Sequence, residues 1–486
     1  NQQGVDQKTF LVGDQVGVVV NGSVPAHLLN PLASYSITDD LTGSVQWIDW
    51  KSGKGKVFVD GGDVTDQFDI VIDQNAKTAT ATAKSSYIAK TMFKNNASKV
   101  KFYLTGTIKQ GATKGKKIQL TNKAYEKWNN ETRPTNEPPV FVWTPNPNKA
   151  WAMKADGKWQ LTVDPAKSDK VGGDDKYYRL GDEVAAVISG TLPTGLGRVP
   201  EIAWTDDFAN VDGILDLKDT SDIKVYERTT ADEANASVNG LNKTGKDVTG
   251  QFDITAEGTK VTVSAKDEYE AAQKDLKTAR QISIVIPFDV NFDTVKLLES
   301  HGKSEGDELN TCVDPEGDDL DNKGAQTVGG STVDTNTPKI CVTVPPIHKQ
   351  VIAESSQGGD QSSIDTQVVF PGQTVEYTVR VDPQIPADQA YEVTTVKLSD
   401  TYSEYTTANK QTLEITDLNT GMIIPKTAYR VQWDEANHSF EATFAKDWVA
   451  ANWKAGSNPR VLLRFEAKVN EDAPTDKTCL LYTSPS

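Results

Sequence analysis

The sequence is short of cysteine, methionine, histidine and positive charge. Its 486 residues include three Cys, three Met and four His, with 51 basic against 68 acidic side chains and a formal charge of −17. That balance argues against nucleic acid or an anionic membrane surface as partner, because both would be repelled. Runs of about 18 apolar residues are absent, so no transmembrane helix is expected, and the first residues lack a charged-then-apolar signal pattern. His27, His301, His348 and His438 are scattered without metal-ligand spacing. The chain has no G-x-S-x-G, no H-E-x-x-H and no recognisable Cys–His–Asn order, which argues against a hydrolase. No enzyme activity and no organic cofactor are expected.

What is present is repetition. The length predicts about three domains at ~100–200 residues each. Residues 6–16 match residues 174–184, and Val369-Phe-Pro-Gly-Gln-Thr-Val375 is a looser third copy. Gly13, Gly181 and Gly372 sit where a turn feeds a strand, a position that often requires positive φ. Each following strand ends at a proline: Val24-Pro25, Leu192-Pro193 and Ile385-Pro386. An acidic turn is expected next, at Thr38-Asp39-Asp40-Leu41, Thr205-Asp206-Asp207-Phe208 and Ser399-Asp400-Thr401-Tyr402. The first two copies also share Asp63-Val-Thr-Asp-Gln-Phe-Asp-Ile70 and Asp247-Val-Thr-Gly-Gln-Phe-Asp-Ile254.

One short helix per unit is predicted, over 85–95, 266–279 and 445–455. Tyr269, Ala272, Leu276 and Ala279 recur at helical spacing there. A strand follows each helix; Val461, Leu463, Phe465, Ala467 and Val469 alternate with polar residues at period two. Proline-rich linkers at 133–139 and 344–346 mark the boundaries. The fold expected is all-β, a row of immunoglobulin-like β-sandwich domains over 1–142, 143–345 and 346–486.

Pro-rich runs deliver a lysine at the start of the second and third units, in Trp143-Thr-Pro-Asn-Pro-Asn-Lys149 and Val344-Pro-Pro-Ile-His-Lys349. Late in the first two units an asparagine appears, Asn122 in Leu120-Thr-Asn-Lys-Ala and Asn310 in Glu308-Leu-Asn-Thr-Cys. The middle unit thus holds Lys149, Asp206 and Asn310. A lysine amine and an asparagine carboxamide can condense with loss of ammonia under three conditions. Burial must lower the amine's pKa from ~10.4. A carboxylic acid kept protonated must polarise the carbonyl. The fold must hold the reacting atoms near contact.

In this order of motifs the chain resembles the C-terminal domains of streptococcal antigen I/II-type adhesins. The resemblance implies a wall-anchored fibrillar surface protein of Gram-positive bacteria, with sandwich modules closed by Lys–Asn isopeptide bonds. It implies Lys149 as amine donor, Asn310 as acceptor and Asp206 as the assisting acid, with Asp207 second choice. Only Asp39 and Asn122 are matched in the first unit, and Lys349 and Asp400 in the third. The Gly13/Gly181 offset places the first unit's lysine ahead of residue 1, and residues 479–486 break the pattern where a third acceptor would stand. Only the middle unit is therefore expected to close. Host or bacterial surface ligands are expected to bind through regions outside this sequence.

Cys312 and Cys341 flank an acidic insert and could form a disulfide in an exported protein. Asp314, Glu316, Asp318, Asp319 and Asp321 are weak candidates for Ca²⁺, without EF-hand spacing. The competing function is a ligand-binding adhesin module, in which loops at a sandwich end, with Trp47, Trp50, Trp151 and Trp159 as contact residues, recognise a glycan or host matrix protein.

Overall fold

The computed structural model describes residues 8–474 except 27, 29, 53–54, 91–96, 112, 162–175, 231–244, 354–362 and 364–367. The tail at 479–486 lies outside the described residues. Strands dominate, and the protein is all-β. Buried apolar side chains gather into three large clusters, within residues 10–142, around 143–344, and within 351–467. Each cluster lies between facing sheets, and we call these bodies the first, second and third units.

The second unit has all the parts. Its larger sheet runs Lys158–Leu161, Asn148–Ala155, Glu183–Leu192, Ala279–Val290, Lys224–Thr230 and Lys246–Asp247, with Leu215–Leu217 also paired to Ala279–Val290. The facing sheet runs Phe252–Glu257, Lys260–Ala265, Ile202–Asp207, Lys323–Val328 and Ser331–Asp334. A small third sheet joins Tyr177–Tyr178, Cys341–Val344 and Leu309–Thr311. Glu183–Leu192 is buried along nearly its whole length because both its faces are covered. One faces the main core; the other carries a lesser cluster of Ala150, Ala152, Ala185, Val187 and Val285 with Trp159 against it. The matching first-unit strand, Gln15–Val24, alternates between exposed and buried positions, as a half-solvated sheet requires.

The other units each lack a piece among the described residues. In the first, Gln15–Val24 is the edge of its sheet, with no counterpart of Asn148–Ala155 beyond it. In the third, Lys397–Thr401 pairs only with Ser439–Phe444, with no counterpart of Lys323–Val328.

Several local expectations are corrected. The acidic turns are ends of strands: Asp39, Asp206 and Asp400 lie within Tyr35–Asp40, Ile202–Asp207 and Lys397–Thr401. Two helices are shorter than their periodicity suggests, Asp267–Gln273 and Lys446–Asn452, while the first covers Ser85–Lys90 and the rest of its expected span lies outside the described residues. Ala279 already opens the next strand and Ala272 is exposed, so Tyr269 and Gln273 form the buried face. The second unit also has an additional helix, Thr294–Ser300, capped by the Asp293 carboxylate accepting from the Lys296 N–H. The shared Asp-Val-Thr motif is a 3₁₀ turn in which Thr65 and Thr249 donate to Asp63 and Asp247, while accepting from the backbone of Val57 and Val225.

Candidate functional site

Strand alternation dictates where Lys149 points. Trp151, two residues on, faces the main core, while Ala150 and Ala152 face the outer cluster. Period two therefore turns Lys149 inward with Trp151. It pairs with Ile188 on the neighbouring strand and is fully buried. Its backbone is fixed by Asn336, whose side chain accepts from the Lys149 N–H at 2.8 Å and donates to the Lys149 carbonyl at 2.9 Å.

On the facing sheet Ile202, Trp204 and Asp206 share the inner face by the same rule, and Asp207 is exposed. Asp207 accepts instead from the Ala209 N–H at 3.2 Å and the Thr259 hydroxyl at 3.1 Å. Asp206 Oδ1 accepts from the Lys149 ammonium. Asp206 Oδ2 accepts from Asn322 Nδ2 at 3.4 Å. Asn322 precedes the Lys323–Val328 strand, is 1% exposed, and its Oδ1 has no partner among the described groups. Beside it, Gly324 allows the two sheets to meet. A Cβ there would stand 2.6 Å from Ile188 Cδ1 and 3.0 Å from the Thr205 carbonyl.

Burial dominates the electrostatics. Desolvation pulls the Lys149 ammonium down from 10.5 to about 8, opposed by the neighbouring Asp206 charge. Desolvation likewise pushes the Asp206 carboxyl above the usual carboxylate range, opposed by Lys149. Both shifts favour the uncharged forms, a neutral amine beside a protonated acid.

Lys149 and Asp206 are thus brought together, and Asn310 is not. Asn310 is exposed on the small third sheet, paired with Thr343 and donating to Glu308 Oε1 at 3.3 Å. Registration explains the error. Ile118 pairs with Val142 as Thr311 pairs with Val342, so Asn310 corresponds to Lys117, and Asn122 corresponds to Asn322. The acidic insert separates the two asparagines and breaks the match. The usable signal was the shared Leu-x-Asn-Lys of Leu120–Lys123 and Leu320–Lys323, each followed by a Thr-Asn pair at Thr135-Asn136 and Thr335-Asn336.

In the first unit, Asn122 Nδ2 donates to Asp39 Oδ2 at 3.2 Å, and Asp39 Oδ1 has no partner among the described groups. Burial raises the Asp39 carboxyl to about 7. In the third, Lys349 pairs with Asp400 Oδ1, donates to the Thr401 carbonyl at 3.2 Å and lies 5.0 Å from the Tyr377 ring centroid. Burial raises the Asp400 carboxyl too.

Cys312 and Cys341 are joined by a disulfide, opposite each other where the Leu309–Thr311 and Cys341–Val344 strands meet. The acidic insert is engaged internally. Asp314 accepts from the Glu316 and Asp318 N–H groups, Asp319 pairs with Lys339, and Asp321 accepts from Asn210. Among the described residues no cluster of three metal-ligating side chains occurs. Trp50 and Trp151 are core residues, not contact residues, while Trp47 and Trp159 are half-buried.

Residues 348–479 match the family model described as cell surface antigen I/II C2 terminal domain. No curated protein matches the chain. Among solved structures, the C-terminal domain of the Streptococcus agalactiae antigen I/II polypeptide BspA is 14% identical, covering 70% of this chain and 96% of its own, at a TM-score of 0.48. The C-terminal domain of the Streptococcus pyogenes antigen I/II-family protein AspA gives the same identity, coverages and score. The Bacillus cereus major pilin subunit BcpA is 9% identical, with coverages of 89% and 96% and a TM-score of 0.26. Over residues 348–479 of its third unit, the chain is thus similar to the antigen I/II family of cell surface proteins.

Proposed function

We propose that this chain is stalk of a Gram-positive cell-surface adhesin, exposed outside the cell, whose middle sandwich closes itself with an amide between Lys149 and Asn322. Its three units act as separate modules divided near 142/143 and 345/346, and ligand recognition lies elsewhere in the longer protein. One observation supports the closure most directly. A wholly buried lysine, aspartate and asparagine meet between opposite sheets, the lysine and the asparagine coming from near the two ends of one unit.

The neutral amine of Lys149 attacks Cγ of Asn322. The protonated Asp206 carboxyl donates to the carboxamide oxygen, which a half-turn of the amide brings opposite Asp206 Oδ2; O and N of the amide exchange places at little cost. The Nζ–Cγ bond forms, the Cγ–Nδ2 bond breaks, and the departing NH2 leaves as ammonia with the one proton released by the amine. Asp206 is restored, so the reaction is a single turnover. Folding holds the groups in contact and supplies the effective concentration a bimolecular encounter lacks.

The test is the intact mass of the folded protein with a tryptic map. One missing ammonia and a branched peptide joining Lys149 to Asn322 are expected. Full mass, or a branch to another residue, refutes the assignment.

A further inference from the structure

Two covalent links overlap in the second unit. The Cys312–Cys341 disulfide closes a loop with a sequence separation of 29, and Asn322 lies inside it. The Lys149–Asn322 amide proposed above closes a larger loop, and Cys312 lies inside that one. The first unit has no counterpart of the disulfide, because the same register there sets Gln119 opposite Phe141.

Both stretches between the links fold back so that their ends meet. From Cys312 to Asn322 the acidic insert is closed by the Leu320 N–H donating to the Cys312 carbonyl at 2.9 Å and the Asp314 N–H donating to the Asp318 carbonyl at 2.8 Å. Leu320 is buried in the core of the unit. From Asn322 to Cys341 run Lys323–Val328 and Ser331–Asp334, the second of them an edge strand of its sheet. The base of this hairpin is closed by the Asn322 N–H donating to the Pro338 carbonyl at 3.2 Å, and the Ile340 N–H ties it to the Leu320 carbonyl at 2.9 Å. The same stretch carries Asn336, which holds both the N–H and the carbonyl of Lys149. A hairpin pulled at its two ends loads one hydrogen bond at a time, so this edge is the weak point of a unit closed by the amide alone. Peeling it would also loosen the strand that carries Lys149.

We propose that the Cys312–Cys341 disulfide is a second tension-carrying link, which shares load with the edge hairpin and limits how far it can be peeled from the sheet. The proposal rests on the stalk reading and on the amide. Tension from the first unit enters ahead of Lys149, and tension from the third enters beyond Cys341. With the amide alone, load crosses from Lys149 to Asn322 and then follows the backbone to Cys341, about nineteen residues that extend to about 65 Å. With both links a second branch joins the same two points. It runs back along the insert from Asn322 to Cys312 and across the disulfide, about ten residues and about 40 Å when taut. The two branches must open together, and the shorter one halts extension while part of the hairpin is still folded. The device is redox-sensitive, since reduction of the disulfide leaves only the longer branch.

Force-clamp spectroscopy of the full chain, pulled through peptide tags at its two ends, tests this. Once the chain has extended at constant force, dithiothreitol is added. It gives up two electrons, closing to its own cyclic disulfide, and converts the Cys312–Cys341 bond to two thiols. A single step of about 25 Å is expected, the difference in length between the two branches. Cys312→Ser has no bond to open and should give no step; a step of the same size there overturns the proposal. No step from the parent chain, when its intact mass shows the ammonia lost, overturns the shared path and leaves the amide standing. A step of about 100 Å corresponds to the whole loop of sequence separation 29. That is the value expected of Asn322→Ala, and from the parent chain it overturns the shared path together with the amide.

Discussion

Replacing Asn322 by alanine separates the two candidate acceptors. The amide from Lys149 to Asn322 closes nearly the whole second unit into one loop. By the chain-entropy treatment of cross-links, a loop of that length removes about 5 kcal/mol from the unfolded state. For a body of this size each kcal/mol moves the melting temperature by about 2–4 °C, so Asn322→Ala should lower the second unit's transition by about 10–20 °C and restore the missing ammonia. Asn310→Ala removes an exposed side chain whose amide donates, among the described residues, to Glu308, and should leave mass and melting unchanged. Differential scanning calorimetry and intact-mass spectrometry on both variants decide the matter. If Asn310→Ala restores the ammonia, or Asn322→Ala melts with the parent, the reasoning from Asp206 fails.

The acid and amine should show in the pH dependence of closure. Because Lys149 is lowered to about 8 and Asp206 is raised, the rate after refolding should climb as pH rises toward 8 and fall once the Asp206 carboxyl ionises; Asp206→Asn should abolish ammonia loss at every pH, read by mass against time. In the first unit, the folded carboxyl of Asp39 holds its proton to about 7 against 3.8 when unfolded. The folded state therefore binds more protons across that window, and stability falls as pH rises through it. Asp39→Asn should consequently stabilise this unit at pH 8 by on the order of a few kcal/mol and do nothing below pH 4, as thermal melts would show. Cys312→Ser opens a loop with a sequence separation of 29 and should cost about 3–4 kcal/mol, measured by urea unfolding. Limited proteolysis should cut first near 133–139 and 344–346; early cleavage inside 247–290 would contradict the division into three modules.

Repeats, alternation and turn residues are local in the chain, and they were legible. The Val461–Val469 strand alternates buried and partly exposed residues as its letters do. The glycines at 13, 181 and 372 all take positive φ. Alternation through Ile202, Trp204 and Asp206 turns Asp206 rather than Asp207 inward only because the expected acidic turn is in fact the end of a strand. The Lys266 and Ala445 segments were over-extended as helices, since periodicity does not reveal where a turn ends the helix, and Ala279 already belongs to the next strand. Asn322 was missed although the shared Leu-x-Asn-Lys of Leu120–Lys123 and Leu320–Lys323 pointed to it. The acidic insert makes Asn310 resemble Asn122 in sequence order, whereas pairing of Thr311 with Val342 assigns Asn310 to the position of Lys117. The chain order placed a lysine, an acid and an asparagine together in the middle unit and part of that set in each of the others. Only the facing of two sheets across a dry core decided which three touch, since contact between strands far apart in sequence depends on register and packing.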